Sequence, residues 1–485
     1  MKAPSRLMCA GRDPRILPNR HHFMLLISSR KNSFLRRIVP VFLVAFVIRV
    51  LCAWPALQSP ELLMRPDSAT YLLPANALVE NGVLTIASDS DLPAVQRPPG
   101  YIFFLVLVGR SLVHIAVAGC LIDALTVFPV ALAGRRLAGR RAGFWAAVLY
   151  ALNLTALAAA PLILADSLLG FFCAWQVFFL VRAWRTKRLS DFLIGAGFAA
   201  AATLTKPVNL PVFLVLIPLV LAPVIFRSWK KTAGAVLLTG IVFCTLLMPW
   251  MLRNRAVGAG FVIDRNSGLT ALHNTAAILA RVNGTDIETE RATLEVEADA
   301  AFEAGPGQGA SLSAFEKSLE LDSWYLKRYR KEITGHPGAA AATHLFQVWI
   351  LLPDLPDFLQ NLGLRTGERG TLAVLRKDGA PAAFRHYMGG NYAAAFLAMP
   401  FLLAAGVLYA LTAAGVWICA RRHRWTVLTL FAVFVLYYLA APGPVLMPRY
   451  QIPALPFACA LAGAVISICG IRRWRKHRSC RRCNP

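Results

Sequence analysis

Apolar residues run through this chain in blocks rather than in amphipathic stripes. Ten blocks approach the ~20 residues that a helix needs to cross a hydrocarbon core: residues 38–57, 112–133, 142–159, 161–182, 191–206, 208–226, 233–251, 392–418, 426–442 and 451–471. The pattern predicts an all-α polytopic membrane protein of about ten transmembrane helices. A further apolar stretch, 101–108, is too short to cross and reads as an interfacial or half-inserted helix in the first outer loop. Between the seventh and eighth blocks lies a polar segment, 252–391, read as a large water-facing insert. Within it, 315–333 has helical periodicity, and Gly335-His336-Pro337-Gly338 breaks it. The Ala-, Glu- and Gly-rich stretch 294–309 reads as a mobile loop. The apolar run 339–353 is expected at the interface, with an eleventh or reentrant span as the alternative. The division is then a basic leader 1–37, a seven-span module 38–251, the insert 252–391, a three-helix module 392–471 and a basic tail 472–485.

Charge decides orientation. Arg36-Arg37, Arg135-Arg136 with Arg140-Arg141, and the clusters in 182–188, 227–231, 421–424 and 472–482 fall at alternate ends of the ten blocks. Basic residues favour the cytoplasmic side, so both termini are expected there. The net charge of +26 is accounted for by these clusters, and no soluble basic domain remains to hold nucleic acid. A mean hydropathy of +0.55 agrees with the membrane class. The insert holds 16 of the 25 acidic residues and none of the ten cysteines. Most cysteines lie in apolar runs and imply no disulfide framework; Cys480 and Cys483 have CxxC spacing but no second ligand pair. The leader lacks the form of a cleavable signal. No internal repeat is visible.

Ionisable groups at membrane depth are costly and mark candidate sites. Here they gather at the outer ends of the blocks, opposite the arginine clusters. Asp67, in Arg65-Pro66-Asp67-Ser68-Ala69-Thr70-Tyr71, shares a helical face with Tyr71 by its i, i+4 spacing; a helix cap is the plain alternative. Asp166, in Leu164-Ala165-Asp166-Ser167, lies among apolar residues and needs a partner, either for packing or for chemistry. Lys206, in Thr205-Lys206-Pro207, either snorkels or binds a phosphate as a point charge. Arg253, near Pro249-Trp250, and Arg449, before Tyr450, are each ordinary interfacial anchors, but together with Lys206 they suggest an anion site. Asp123, His114 and Arg49 fall inside blocks, and Asp123 has no evident role.

Taken in order, the motifs Pro66-Asp67-Ser68-Ala69-Thr70-Tyr71, Arg97-Pro98-Pro99-Gly100-Tyr101, Ala165-Asp166-Ser167, Leu204-Thr205-Lys206-Pro207, Pro249-Trp250 with Arg253-Asn254, and Arg449-Tyr450 resemble the GT-C superfamily of polyprenyl-phosphate-sugar glycosyltransferases. They resemble in particular the bacterial relatives of protein O-mannosyltransferases and of the lipid A aminoarabinose transferase. The resemblance implies transfer of one sugar from a polyprenyl-monophosphate carrier to an acceptor on the periplasmic side of a bacterial inner (plasma) membrane, usually with inversion. It implies Asp67 as base, Asp166 as a second acidic residue, and Lys206 with Arg449 and Arg253 at the donor phosphate. Tyr71, Arg97, Tyr101, Trp250 and Tyr450 are expected to line the site. The acceptor is left open among glycan, lipid and protein. Ser68 stands where such enzymes often carry a second acidic residue, so a divalent metal is left open as well.

The residue types suit this chemistry on their own terms. A glycosidase needs an acid and a base around an oxocarbenium-like state. A phosphate leaving group departs as an anion, so cations replace the acid and one carboxylate suffices to deprotonate the acceptor. A polysaccharide ligase or polymerase is the enzymatic alternative. A lipid-linked sugar flippase or transporter is the non-enzymatic one, although neither inverted repeats nor broken mid-membrane helices are evident. A catalytically dead homologue is disfavoured by the intact Asp67, Asp166 and Lys206.

Overall fold

A computed structural model describes residues 20–305, 307, 313–345, 348–364, 370–445 and 447–482. The described residues are almost wholly helical, joined by short turns. Seven helices are long and apolar enough to cross a membrane: Phe34–Gln58, Leu112–Ala138, Asp166–Thr186, Pro207–Phe226, Trp229–Ala256, Phe396–Arg421 and Pro448–Cys469. The other three apolar blocks are also helical but shorter. Leu189–Thr205 and Trp425–Ala440 are single short helices. The block 142–159 is split, because Asn153 ends one helix, Arg140–Ala151, and caps the next, Leu154–Ala159, by accepting from the Ala156 amide at 3.0 Å.

These helices turn apolar residues both ways. Leu43, Val44, Val47 and Leu51 on the first helix are exposed, as are Phe396, Leu397, Leu403 and Val407 on a late one. Such faces suit lipid. The inner faces are rich in small residues, which let backbones approach closely without a hydrophobic drive between helices. A Cβ added at Gly463 would lie 2.3 Å from the Ala142 carbonyl oxygen, so the last span and the Arg140–Ala151 helix meet at backbone contact. Widened helical turns at Val212–Leu221 and Phe243–Leu247 accompany Pro218 and Pro249, whose rings crowd the carbonyl four residues earlier.

The deep carboxylate is explained by the packing. Asp123 accepts from Arg49 Nε at 2.5 Å and from the Tyr150 hydroxyl at 2.7 Å, and both ionic side chains are 0 % exposed. Arg49 also donates to the Ala45 and Ala151 carbonyls. Asp123 is thus a packing group that ties three helices together.

The insert begins with three packed helices, Ser267–Asn283, Ile287–Ala304 and Ala314–Gly335. The last confirms the periodic stretch and opens on a capping box between Ser313 and Glu316. The mobile-loop reading of 294–309 is corrected as far as residue 304. Ile287–Ala304 is helix, capped by Asp286 on the Thr289 amide, and Leu294 is buried among Leu272, Ala276, Trp324 and Tyr325. Ala and Glu are strong helix formers, and the Leu294/Ala298 spacing supplies the buried stripe. The apolar run 339–353 forms Pro337–Leu345 and a tight turn at Val348–Leu351, neither long enough to cross. Its end is held by Gln451, whose amide donates to the Ile350 carbonyl at 3.1 Å. Residues 1–19 of the leader lie outside the described residues, as does Cys483.

Candidate active site

The loop after the first span is shaped by its own hydroxyl. Ser68 is fully buried; its Oγ accepts from the Arg65 amide at 2.9 Å and donates to the Ile163 carbonyl at 2.8 Å. The Ile163 amide in turn donates to the Leu63 carbonyl. Residues 161–165, read from sequence as the start of a span, are therefore a turn pinned against the Asp67 loop, and the helix starts at Asp166. This pairing brings Asp67 and Asp166 together. It also places the Asp166 carboxylate in the first helical turn, where the helix dipole favours negative charge.

The two carboxylates differ in surroundings. Asp67 is 44 % exposed and accepts from Arg97 Nη2 at 2.8 Å. It does not cap the following helix, whose N-cap is Ser68, and Tyr71 turns inward against Tyr101 at 5.1 Å instead of sharing its exposed face. Asp166 is 3 % exposed, accepts from Lys206 Nζ at 2.7 Å and has Arg449 Nε at 3.7 Å. A carboxylate so buried and so paired is placed to hold cations.

Arg97 is steered by its neighbours. Its Nε donates to Thr70 Oγ1 at 2.9 Å, and its guanidinium lies 5.0 Å from the Tyr71 ring centre. Gly100 explains how this segment reaches the lysine. A Cβ there would meet the Leu204 carbonyl at 2.7 Å, so only glycine lets the Pro99–Val108 helix rest on the end of Leu189–Thr205. Lys206 follows that end in an extended conformation, with Pro207 preventing continuation of the helix. Tyr450 lies beneath both cations, 4.8 Å from Lys206 and 5.6 Å from Arg449.

Arg449 is the hub. It is 7 % exposed, stands 3.9 Å from Asp67 as well as near Asp166, and its Nε has no hydrogen-bond partner among the described atoms. A third carboxylate, Asp357 of the insert, lies 3.9 Å away on its other side. Asp357 also accepts from Arg65 Nε at 3.0 Å and Nη2 at 2.8 Å. Neither Asp357 nor the role of Arg65 was read from the sequence. The tandem Leu352-Pro353-Asp354-Leu355-Pro356-Asp357, two acids at i, i+3 inside an apolar run, was the available signal.

Two expected residues are not brought into this cluster. Arg253 spends its guanidinium on the Ala94 and Leu84 carbonyls of the first outer loop, at 2.7 and 2.9 Å, while stacking on Trp250. Trp250 donates to the Ile263 carbonyl at 2.8 Å. Both brace loops, as interfacial Arg and Trp commonly do. Nor does the cluster suit a divalent cation. Among the described residues no group of three or more acidic, His or Cys side chains converges without cations between them, and Arg97, Lys206 and Arg449 already face Asp67 and Asp166.

Two further acids near the cluster are perturbed. Burial pushes the Asp264 carboxyl up to about 7, with Arg97 opposing. Burial, then the nearby Asp357, raises Asp354 well above the ordinary carboxylate range.

Comparison with known proteins gives one partial family match and distant structural likenesses. Residues 99–252 match the family described as dolichyl-phosphate-mannose-protein mannosyltransferase, a stretch that contains Tyr101, Asp166 and Lys206 but not Asp67 or Arg449. The matched stretch is about a third of the chain, and there the chain is similar to that family of glycosyltransferases. No curated relative matches the chain. Among solved structures, the archaeal oligosaccharyltransferase AglB from Archaeoglobus fulgidus, in complex with an inhibitory peptide and a dolichol-phosphate, is 13 % identical with a TM-score of 0.47, covering 93 % of this chain and 52 % of that one. The apo form of the Archaeoglobus fulgidus oligosaccharyltransferase is 14 % identical with a TM-score of 0.47, covering 92 % and 52 %. The chain spans about half the length of the solved structures it matches.

Proposed function

We propose that this protein transfers a single sugar from a polyprenyl monophosphate to an acceptor hydroxyl, with inversion, at the outer face of a bacterial inner membrane. The observation that carries the reading is the convergence of one accessible carboxylate, Asp67, with the buried Asp166 and Arg449 and the part-buried Lys206 from distant parts of the chain. Asp67 accepts the proton of the attacking hydroxyl. Lys206 and Arg449 bind the donor phosphate and stabilise its charge as the anomeric C–O bond breaks; the Nε of the buried Arg449, which has no hydrogen-bond partner among the described atoms, suits such an anion. No proton donor is needed, because phosphate departs as an anion. Asp166 holds the two cations in place, and Tyr450 fills the space beneath them. Tyr71, Arg97 and Tyr101 form the wall beside Asp67.

The arginine-rich loops support an orientation with both termini cytoplasmic and this cluster on the opposite face. The insert 252–391 is the part proposed to select a glycan, lipid or protein acceptor. Asp123 is paired with Arg49 and Tyr150, so it offers a transport reading no free ionisable group at that depth. The test is transfer of radiolabel from a panel of polyprenyl-monophosphate sugars into a membrane extract by the purified chain. Transfer by wild type supports the reading. Label moving only from a lipid pyrophosphate oligosaccharide would favour a ligase instead.

A further inference from the structure

Asp357 sits in the Leu355–Asn361 helix of the outer insert, yet its carboxylate reaches both halves of the proposed transfer site. On one side it takes Arg65 through two N–H groups, Nε at 3.0 Å and Nη2 at 2.8 Å. Arg65 is 9 % exposed and precedes Pro66-Asp67, and its Nη1 donates to the Leu62 and Met64 carbonyls at 2.8 Å each, so it grips the Asp67 loop from within. On the other side Asp357 Oδ2 stands 3.9 Å from Arg449 Nη1. One carboxylate therefore bridges the loop that carries the base and the guanidinium that faces the phosphate.

The helix bearing Asp357 is itself anchored. The Asp354 amide donates to Thr155 Oγ1 at 3.2 Å, Asn361 Nδ2 to the Ala158 carbonyl at 2.7 Å, and Gln360 Nε2 to the Leu62 carbonyl at 3.3 Å. Phe358 and Leu359 are buried against Leu154 and Leu157. The neighbouring acid, Asp354, is buried with an unpartnered Oδ2, and burial favours its neutral form. It is Asp357 whose carboxylate oxygens reach the two arginines.

We infer that Asp357 is a positioning residue of the transfer reaction, fixing the separation of Asp67 and Arg449 by holding Arg65 and Arg449 together. The inference rests on the function proposed above. It makes the outer insert part of the reaction centre, so that whatever acceptor the insert engages acts on a site that the insert helps to assemble.

The experiment uses the full chain in nanodiscs and separates binding from transfer. Binding of a sugar-free polyprenyl monophosphate and steady-state transfer from the sugar-bearing donor are measured for wild type, Asp357→Asn, Asp357→Glu and Arg65→Lys. Asp357→Asn is expected to lower kcat about a hundredfold, the cost of misplacing a reacting group by about 1 Å. It should bind polyprenyl monophosphate at least as tightly as wild type, because Arg449 loses a competing carboxylate. Asp357→Glu should recover most of kcat, and Arg65→Lys, which keeps charge but loses the two-pronged contact, should lose it. Should Asp357→Asn fold poorly, Arg65→Lys alone carries the test. A kcat that is unchanged in Asp357→Asn, or that falls only with the folded fraction, overturns the inference while leaving the function intact. Wild type that neither binds the lipid phosphate nor transfers sugar overturns both.

Discussion

Asp67 and Asp166 are the same residue type within one cluster, and solvent exposure assigns them different work. Asp67 is 44 % exposed and faces Arg97, while Asp166 is 3 % exposed between Lys206 and Arg449. On the proposed function, the first is the one open to an acceptor hydroxyl. Asp67→Asn keeps the shape and removes the basicity, so transfer should fall by about 10²- to 10⁴-fold with donor binding preserved, the usual worth of general-base catalysis. Steady-state kinetics check this, and full transfer by the variant removes the base assignment. Asp264 offers a stability test. Its folded pKa of about 7, set by burial against Arg97 and near Asp322, exceeds the unfolded value of ~3.9. The folded state therefore holds this proton more tightly, and ionisation costs stability as pH rises from about 4 to about 7, a cost that persists above. Asp264→Asn should melt higher than wild type at pH 8 and converge with it near pH 4. Parallel melting curves across that range would count against the buried acid.

At the scale of elements, the site depends on close approach where chain direction changes. Gly100 lets one helix rest on the Leu204 carbonyl, and Ser68 ties the Asp67 loop to the turn at 161–165. Gly100→Ala puts a Cβ 2.7 Å from that carbonyl oxygen and should cost about 1–3 kcal/mol by overpacking. Because Lys206 lies two residues beyond, donor KM should rise along with the drop in melting temperature. An unchanged KM would separate this contact from the site. The existence of the helices was readable from apolar blocks, since hydrophobicity is a local property of the chain. Their limits were less so. The block from 161 starts its helix at Asp166 because the Leu63 and Ser68 groups claim the backbone of Ile163. The stretch 294–309 was misread up to residue 304 because composition hid the Leu294/Ala298 stripe.

At the scale of the whole molecule, Arg49 and Asp123 join spans far apart in sequence through a contact that excludes water. Removing one partner leaves a bare charge in the interior. Asp123→Ala should cost about 3–5 kcal/mol, whereas replacing both, Arg49→Met with Asp123→Leu, should recover most of it. Thermal unfolding in detergent checks the pair; equal loss in single and double variants would show that shape rather than charge matters there. The sequence by itself determined the membrane class, the order of the helices and the identity of Asp67, Asp166, Lys206 and Arg449 as candidates, because apolar runs and charges at their ends are local features. It could not tell that Arg253 would turn to the Ala94 and Leu84 carbonyls, or that Asp357, 292 residues from Arg65, would bridge that arginine and Arg449. Those outcomes were decided by tertiary structure, because an ionic side chain leaving water takes whichever partner the packed helices bring within reach, and that partner is set by distances in space.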